Sequence, residues 1–339
     1  MVLGEHGGTR RGRVWATPSA GRLELTTREV PALLPDEVQL TVLACGVCRT
    51  DLHVVDRELP ERRPAVVPGH QTVGRVTAVG DAVQHLRVDD LVGSTWLRRT
   101  CGACRWCREG RENLCPTSAY TGWDADGGYA ELAVVPEPFA YLLPADSEPK
   151  TTAPLLCAGI IGYRALGRAN LPPGGRLGIY GFGSSAHLTA RLAIAQGAEV
   201  LAMTRGGPSC ELARRTGATY VGDPRTRPPV PLDSAIVFAP AGELVPLALE
   251  ATDRGGTVVL AGIHMSDVPA MSYADHLFRE RDLRTVTANT RADGAAFLRL
   301  ARALRLEPEV TEYAFGRAGE ALRDLRDGAV SGSLVLTMT

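Results

Sequence analysis

Four of the eight cysteines lie close together in the chain, at a spacing that could hold one metal ion. They form the pattern C-x2-C-x2-C-x7-C and comprise Cys101, Cys104, Cys107 and Cys115. Four thiolates within fifteen residues can surround a tetrahedral ion, and zinc suits soft sulfur ligands without bringing redox chemistry. Because four sulfurs leave no open coordination position, the spacing predicts a structural zinc site.

An iron–sulfur cluster and two disulfide bonds are the alternatives for this cysteine quartet. Pro116 follows the last cysteine as in bacterial ferredoxins, but the ferredoxin run has three residues before that cysteine where this chain has seven. Disulfides are typical of secreted chains. The polar, glycine-rich segment Met1–Arg13 has no apolar stretch of the kind found in signal sequences, which favours zinc and a cytoplasmic location.

Three further segments could contribute to a second, open metal site. They read Cys-Gly-Val-Cys-Arg-Thr-Asp-Leu-His at 45–53, Pro-Gly-His-Gln at 68–71 and Leu-Cys-Ala-Gly at 156–159. Two thiolates and one imidazole would leave a fourth position for water or substrate, as in catalytic zinc sites. Each residue alone has another interpretation, because a lone cysteine is usually a small buried apolar side chain, and Cys45 with Cys48 could form a redox pair.

A glycine-rich segment, Gly181-Phe182-Gly183-Ser184-Ser185-Ala186, follows a predicted strand at Arg176–Tyr180 and precedes a predicted helix at Ala186–Gln196. The pattern G-x-G-x-x-A between a strand and a helix is a form of the dinucleotide-binding fingerprint. Its glycines let the backbone approach a pyrophosphate, and the free N–H groups of the helix N-terminus can bind the phosphates. We therefore predict a dinucleotide cofactor.

The next predicted strand, Glu199–Met203, runs into Thr204 and Arg205. Enzymes that use NAD usually carry an acidic residue here to bind the adenosine ribose, and this chain has none. Thr204 and Arg205 could instead bind a 2′-phosphate, so we favour NADP(H). The alternative is that Arg205 is a solvated loop residue and NAD(H) binds.

The pattern of strands and helices predicts two domains in an α/β protein. Residues 14–145 contain short strands broken by glycine and proline, typical of an irregular β-rich domain. Their predicted strands include Glu37–Ala44, Gly74–Val79 and Tyr129–Val135. Strand and helix then alternate, which indicates a parallel sheet covered on both faces. We place the first domain at 1–155 and the dinucleotide-binding domain at 156–290, with 291–339 returning to complete the first.

Together, in order and spacing, these motifs resemble the zinc-dependent medium-chain alcohol dehydrogenases, from about Val14 to Leu336. The resemblance implies a GroES-like catalytic domain beside a doubly wound Rossmann sheet. It also implies two zinc ions per chain. The catalytic ion would be held by Cys48, His70 and Cys157, and the structural ion by the cysteine quartet.

The resemblance assigns further roles around the catalytic zinc. Thr50 would hydrogen-bond the substrate oxygen, and His53 would complete a proton relay to solvent. Asp51 would orient the imidazole of His70, as carboxylates commonly do for metal-ligating histidines. Arg49 would face the cofactor pyrophosphate. Cys45 and Cys210 are left without a chemical role.

Two tryptophans and one strand complete the expectations for binding. Trp96 and Trp123 would line the pocket for a small alcohol or aldehyde. The resemblance implies a homodimer or homotetramer formed through the dinucleotide-binding domain, where a predicted strand at Leu283–Ala288 could extend the sheet between subunits. The net charge of −1 and the lack of a long apolar run give no reason to expect a nucleic-acid or membrane partner.

Three positions depart from the family pattern. Gln71 stands where a glutamate is common, the usual threonine near Ile161 is missing, and Ser333 stands where an arginine often reaches the cofactor phosphates. These differences favour a second hypothesis, in which the same scaffold reduces a C=C or C=N bond. A third hypothesis, a cofactor-binding protein without activity, is disfavoured because the zinc ligands, Thr50 and His53 are all present.

Overall fold

The computed structural model describes residues 10–338 of the chain. Segment 1–9, which contains most of the stretch where we predicted no signal sequence, lies outside the described residues, as does residue 339. Among the residues that are described, no helix combines the length and the apolar character needed to cross a bilayer.

The described chain is rich in strands, and short strands dominate its first half. In chain order the strands are β1 (Arg11–Ser19), β2 (Arg22–Glu29), β3 (Glu37–Val47), β4 (Gln71–Val79), β5 (Leu91–Ser94), β6 (Leu97–Arg99), β7 (Ala119–Tyr120), β8 (Leu132–Pro136), β9 (Ala140–Leu142), β10 (Arg176–Tyr180), β11 (Glu199–Met203), β12 (Tyr220–Gly222), β13 (Leu232–Val237), β14 (Thr252–Leu260), β15 (Asp282–Thr285), β16 (Val310–Ala314) and β17 (Ser333–Thr337).

Among the described residues, every α-helix of eight or more residues begins after residue 157. The α-helices are α1 (Arg49–Val55), α2 (Arg105–Arg108), α3 (Pro149–Thr152), α4 (Ala158–Arg168), α5 (Ser184–Ala195), α6 (Gly207–Thr216), α7 (Leu244–Ala251), α8 (Tyr273–His276), α9 (Arg291–Ala303) and α10 (Ala318–Asp327). Short 3-10 helices lie at Glu112–Leu114, Glu137–Phe139, Ala153–Leu156 and Phe315–Arg317.

One sheet is entirely parallel, with strand order β12-β11-β10-β13-β14-β15. Residues 200–203 of β11 and 234–237 of β13 are buried, as expected when helices cover both faces of a parallel sheet. The chain winds outward from β10 first to one side and then to the other. A crevice forms beyond the carboxyl ends of the strands where the winding reverses, and ligands bind there in sheets of this type.

The other large sheet is mostly antiparallel and contains strands from both ends of the described chain. Its order is β16-β17-β3-β4-β5-β9, and β8 also pairs with β3. Strand β17 runs antiparallel to β3, with Leu336 opposite Cys45. The last strand therefore completes a sheet begun some 290 positions earlier, which needs the intervening parallel sheet to fold as an insertion.

Several predicted elements are confirmed to the residue. Strands β10 and β11 have the predicted bounds, and the predicted doubly wound parallel sheet is present. The strand predicted at Tyr129–Val135 is wrong at its start, because β8 begins at Leu132. The carbonyl of Tyr129 accepts a hydrogen bond from Trp15 N, so this residue belongs to a connection with β1. The domain boundaries at 155 and 290 stay predictions.

A buried histidine joins the parallel sheet to the returning segment. His187 lies on α5 and is fully buried. Its Nδ1 lies 3.2 Å from the carbonyl oxygen of Gly183, and its Nε2 accepts the backbone N–H of Glu309 at 3.3 Å. These two contacts require a neutral ring with the proton on Nδ1. Burial lowers the pKa of His187 to about 4.

His187 is expected to make stability depend on pH. In the unfolded chain the pKa of a histidine is about 6.5. Between that pH and about 4, the unfolded chain therefore binds more protons than the folded chain. The contribution is complete above pH 6.5 and is lost as the pH falls, by about 1 kcal/mol between pH 7.5 and 5.5. Urea midpoints should fall less steeply over this range in His187→Gln than in wild type. The exposed His85→Gln should follow wild type, and parallel curves for all three proteins would contradict the assignment.

Candidate active site

A cavity of about 890 Å³ lies between the two large sheets and receives residues from both. The antiparallel sheet and its connections supply Cys48, Thr50 and His70, while the parallel sheet supplies the glycine-rich segment after β10. The cavity therefore coincides with the crevice at which the winding of the parallel sheet reverses. The site predicted for a metal and the site predicted for a dinucleotide open into the same space.

Cys48, His70 and Cys157 meet at the wall of this cavity, although they lie on three separate segments. Cys48 precedes α1, His70 precedes β4 and Cys157 precedes α4. Their candidate ligand atoms all lie within 4.8 Å of one another, and His70 Nε2 is 3.2 Å from Cys157 Sγ. Two sulfurs and one nitrogen thus face a common point, with the cavity on the remaining side.

The carboxylate of Asp51 fixes the positions of Cys48 and His70 through hydrogen bonds. It accepts hydrogen bonds from the backbone N–H groups of Cys48 at 2.8 Å and Gly69 at 3.2 Å. Its Oδ1 also lies 3.1 Å from His70 Nδ1, and the hydroxyl of Tyr129 donates to Oδ2 at 3.1 Å. Four donors satisfy a carboxylate that is almost fully buried. With Nδ1 bound to Asp51, the Nε2 of His70 is directed at the two sulfurs.

The charges of the group suit a cation. Burial lowers the pKa of His70, but the Asp51 carboxylate outweighs it and raises that pKa to about 10. The hydrogen bond from Cys157 lowers the pKa of the Cys48 thiol, and the same contact raises the pKa of Cys157. These shifts favour the thiolate form of Cys48 and the protonated form of His70 beside the buried carboxylate of Asp51. A zinc ion fits this donor set, because it would replace protons on the imidazole and the second thiol.

The cysteine quartet forms a separate group near the surface. The sulfur of Cys104 is 3.5 Å from that of Cys107, and the sulfur of Cys101 is 3.6 Å from Cys115 and 4.0 Å from Cys107. Sulfurs bound tetrahedrally to one zinc ion stand about 3.8 Å apart, whereas a disulfide bond measures about 2.05 Å. The backbone N–H groups of Ala103 and Cys104 lower the pKa of Cys101 to about 6, which favours the thiolate. The quartet therefore fits zinc, and these distances exclude disulfides among its members.

Thr50 and His53 lie on the same side of α1, because residues three apart are neighbours on a helix surface. Both are buried against the cavity, and Thr50 Oγ1 lies 3.7 Å from Cys48 Sγ. His53 Nδ1 contacts the carboxylate of Glu58, a residue that the sequence analysis did not single out. The exposed side chain of Arg49 also lines the cavity, and its contact with a pyrophosphate stays a prediction.

The glycine-rich segment forms the turn between β10 and α5. Gly181 has a φ of 84°, a left-handed conformation that favours glycine, and a Cβ there would approach the backbone of Ala239. Phe182 turns its side chain into the core of the parallel sheet, so this residue offers only its backbone to a ligand. Ser184 Oγ is 2.6 Å from Ser333 Oγ, which ties the segment to β17.

The far end of the cavity contains the residues predicted to recognise the adenosine phosphate. Thr204 is buried and Arg205 is exposed, and both line the cavity. Arg225 and Ser209 line the same end and were not among the predicted residues. No sequence signal marked them, because they follow β12 and begin α6 and come together only through the sheet order.

The two tryptophans occupy different positions. Trp96 lines the cavity as predicted, but the structure places Trp123 outside its wall. The ring of Trp123 stacks 6.1 Å from that of Trp96, and its Nε1 donates to the carbonyl of Pro60 at 2.9 Å. Trp123 therefore supports the cavity wall by packing against the ring of Trp96. Gln71 and Ile161 both line the cavity.

Comparisons with known proteins show which proteins this chain is similar to. The family profile described as alcohol dehydrogenase GroES-like domain matches residues 34–145. Over 321 residues the chain is 55% identical to the Mycobacterium tuberculosis protein named probable alcohol dehydrogenase AdhA, covering 93% of each chain.

Two solved structures are similar over almost the whole chain. One is a cobalt- and zinc-bound thermostable alcohol dehydrogenase from Pyrobaculum aerophilum, at 26% identity and a TM-score of 0.89, covering 97% of this chain and 100% of that chain. The other is acetophenone reductase from Geotrichum candidum in complex with NAD, at 27% identity and a TM-score of 0.88, covering 98% of each chain.

Replacement of Asp51 by asparagine is expected to weaken zinc binding by about 10- to 100-fold, because the amide orients His70 less firmly and removes a negative charge. Competition with a chromophoric chelator measures the change. Asp56→Asn is the matched control, since Asp56 follows the same helix but pairs with Arg326 on the surface. Equal zinc affinity in Asp51→Asn and wild type would show that Asp51 does not support the metal site.

Proposed function

Because the chain belongs to the medium-chain alcohol dehydrogenase family, we propose that it is a zinc-dependent enzyme that transfers a hydride between an alcohol or carbonyl substrate and a nicotinamide dinucleotide. One observation carries the proposal. The two thiols and the imidazole of Cys48, His70 and Cys157 open into the same cavity as the glycine-rich segment after β10. A substrate held at these ligands would therefore face a nicotinamide held by that segment.

The roles of the residues follow from their positions. Cys48, His70 and Cys157 would hold zinc, which supplies Lewis-acid chemistry at the substrate oxygen when bound, and the cofactor accepts or donates the hydride. The hydroxyl of Thr50, beside Cys48, hydrogen-bonds the substrate oxygen and accepts its proton. Asp51 holds His70 in the ligating orientation throughout. The cysteine quartet would hold a second zinc that stabilises its surface segment.

The cofactor would lie along the cavity from the metal site to the end of β11. Backbone N–H groups at the start of α5, together with Arg49, would bind the pyrophosphate. We favour NADP(H), because Thr204, Arg205 and Arg225 line the adenosine end and no acidic residue follows β11 directly. A guanidinium group binds a phosphate through paired charge-assisted hydrogen bonds.

Reduction of a C=C or C=N bond is the second candidate. Gln71 and Ile161 line the cavity, and both depart from the family pattern. Ser333 departs as well, but it bonds Ser184 of the glycine-rich segment, so its hydroxyl supports the cofactor turn. Parallel assays with aldehydes, enals and cyclic imines distinguish the two reactions, and we expect the aldehydes to react fastest.

We propose that copies of the chain associate through the edge of the parallel sheet. Strand β15 is an outer strand of that sheet, so one side of its backbone is free to pair. Tyr273 and Phe278, shortly before β15, are 67% and 65% exposed and their ring centroids are 5.8 Å apart, so they form one apolar patch of a kind that can mark a subunit contact. A cytoplasmic location stays a prediction.

Cys48→Ser is expected to abolish alcohol oxidation and to reduce the zinc content by about one ion per chain, because a hydroxyl binds zinc far more weakly than a thiolate. Metal analysis and steady-state kinetics measure the two effects. Cys210→Ser is the matched control, since Cys210 lies outside both metal-binding groups. Full activity with both zinc ions retained in Cys48→Ser would refute the proposed site.

Arg205→Ala is expected to raise the KM for NADP by about 10- to 100-fold, because it removes one pair of charge-assisted hydrogen bonds to the phosphate. The KM for NAD should change less than about threefold, because NAD lacks the 2′-phosphate. Arg214→Ala, on the exposed face of α6, serves as the control for loss of one positive charge. An equal effect of Arg205→Ala on both cofactors would contradict NADP recognition by this residue.

A further inference from the structure

Three titratable side chains lie close together beside the cavity, and none of them is a candidate zinc ligand. His53 Nδ1 contacts the Oε2 atom of Glu58, and the ring of His264 lies 5.1 Å from the ring of His53, tilted by 51°. His53 and Glu58 belong to the segment after β3, whereas His264 follows β14 of the parallel sheet. We call these three residues the relay cluster.

A strained turn places Glu58 over His53. Helix α1 ends at Val55, and Arg57 adopts a left-handed conformation with a φ of 58°. The chain then folds back, and Glu58 N donates to the carbonyl oxygen of His53 at 3.0 Å. A residue other than glycine in this conformation costs roughly 1 kcal/mol, so the surrounding contacts must hold it there. The ion pair of Arg57 with Glu61, at 2.9 Å, is one such contact.

The contact with Glu58 decides which nitrogen of His53 can accept a proton. A carboxylate accepts hydrogen bonds, so Nδ1 of His53 carries the proton and Nε2 is left as the acceptor. The ring is buried, but 47% of the Glu58 side chain is exposed to solvent. A buried base is therefore joined to a carboxylate that remains in contact with water.

We propose that Glu58 is a positioning residue of the proton relay, which holds His53 in the Nδ1-protonated tautomer and stabilises the imidazolium that forms when His53 accepts the proton of the alcohol. This inference rests on the proposed alcohol dehydrogenase activity. It gives Glu58 the role that the aspartate has in a serine–histidine–aspartate triad, where the carboxylate orients the ring and stays ionised.

The proton balance is simple. As the O–H bond of the alcohol breaks, its proton passes through the hydroxyl of Thr50 and one intervening hydroxyl group or water to Nε2 of His53, and an imidazolium forms. The carboxylate of Glu58 stays ionised and offsets the new positive charge. The imidazolium then returns the Nε2 proton to water, which restores the neutral tautomer. Carbonyl reduction follows the reverse order.

The charges around the cluster keep Glu58 ionised. The hydrogen bond from His53 lowers the pKa of Glu58 most, and the charges of His264 and Arg49 contribute in the same direction. Arg326 of α10, paired with Asp56 at 2.7 Å, also faces this carboxylate. Arg57 is engaged by Glu61. The hydrogen bond from His53 and the neighbouring charges that lower the pKa of Glu58 therefore favour the ionised carboxylate that the proposed role requires.

The first test compares Glu58→Gln with a control variant, Glu24→Gln, across pH 6 to 10, because Glu24 is exposed on β2 and pairs with Arg22. In Glu58→Gln we expect the plateau of kcat for alcohol oxidation to fall about 10-fold and the acidic limb of the kcat profile to move to lower pH, because a neutral amide stabilises the protonated relay less. Glu24→Gln should stay within about twofold of wild type, and Glu58→Asp should recover part of the loss. Identical profiles for the two glutamine variants would overturn the inference.

The second test does not depend on turnover. Long-range proton–nitrogen NMR spectra above pH 8, assigned with His53→Gln, should show the proton of His53 on Nδ1 in wild type and on Nε2 in Glu58→Ala. The same tautomer in both proteins would overturn the role of Glu58. An absence of alcohol oxidation by the zinc-loaded wild type would instead contradict the proposed function, and the tautomer measurement would still decide the role of Glu58.

Discussion

The buried carboxylate of Asp51 is the interaction on which the candidate active site depends. A charge this deeply buried is tolerated only when every oxygen is hydrogen-bonded, and here four donors converge on it. Those donors come from the start of α1, the turn before β4 and the loop before β8. The need to satisfy one carboxylate therefore holds two of the three candidate zinc ligands, Cys48 and His70, at a fixed separation.

The short helix α1 carries three residues that the proposed reaction uses besides the zinc ligands. Thr50 and His53 share its cavity side, while Asp51 points back into the antiparallel sheet. One side of the helix thus carries the proposed relay residues, and another side carries the residue that supports the metal ligands. The strained turn after α1 adds Glu58 to the relay, which uses local backbone geometry to place a carboxylate against a buried ring.

Contacts between the two large sheets determine how the cavity is held together. The hydroxyls of Ser184 and Ser333 bond across the interface, and His187 links the glycine-rich turn to Glu309. The cofactor turn therefore rests on β17 and the segment before β16, the part of the chain that completes the antiparallel sheet. A dinucleotide bound at this turn would therefore lie next to the strand that completes the antiparallel sheet.

Local sequence patterns alone determined much of this protein. Three short-range features can be recognised from the sequence alone. They are the cysteine spacing, the strand–glycine–helix pattern at β10 and α5, and the alternation of strands and helices that predicts a parallel sheet. The remaining features were decided by tertiary structure. Tyr129, Arg225 and His264 come from loops whose neighbours are set by strand order, and Trp123 lies behind the cavity because Trp96 occupies the wall. Contacts between distant segments depend on packing, so no local pattern could show that Glu58 would fold back onto His53.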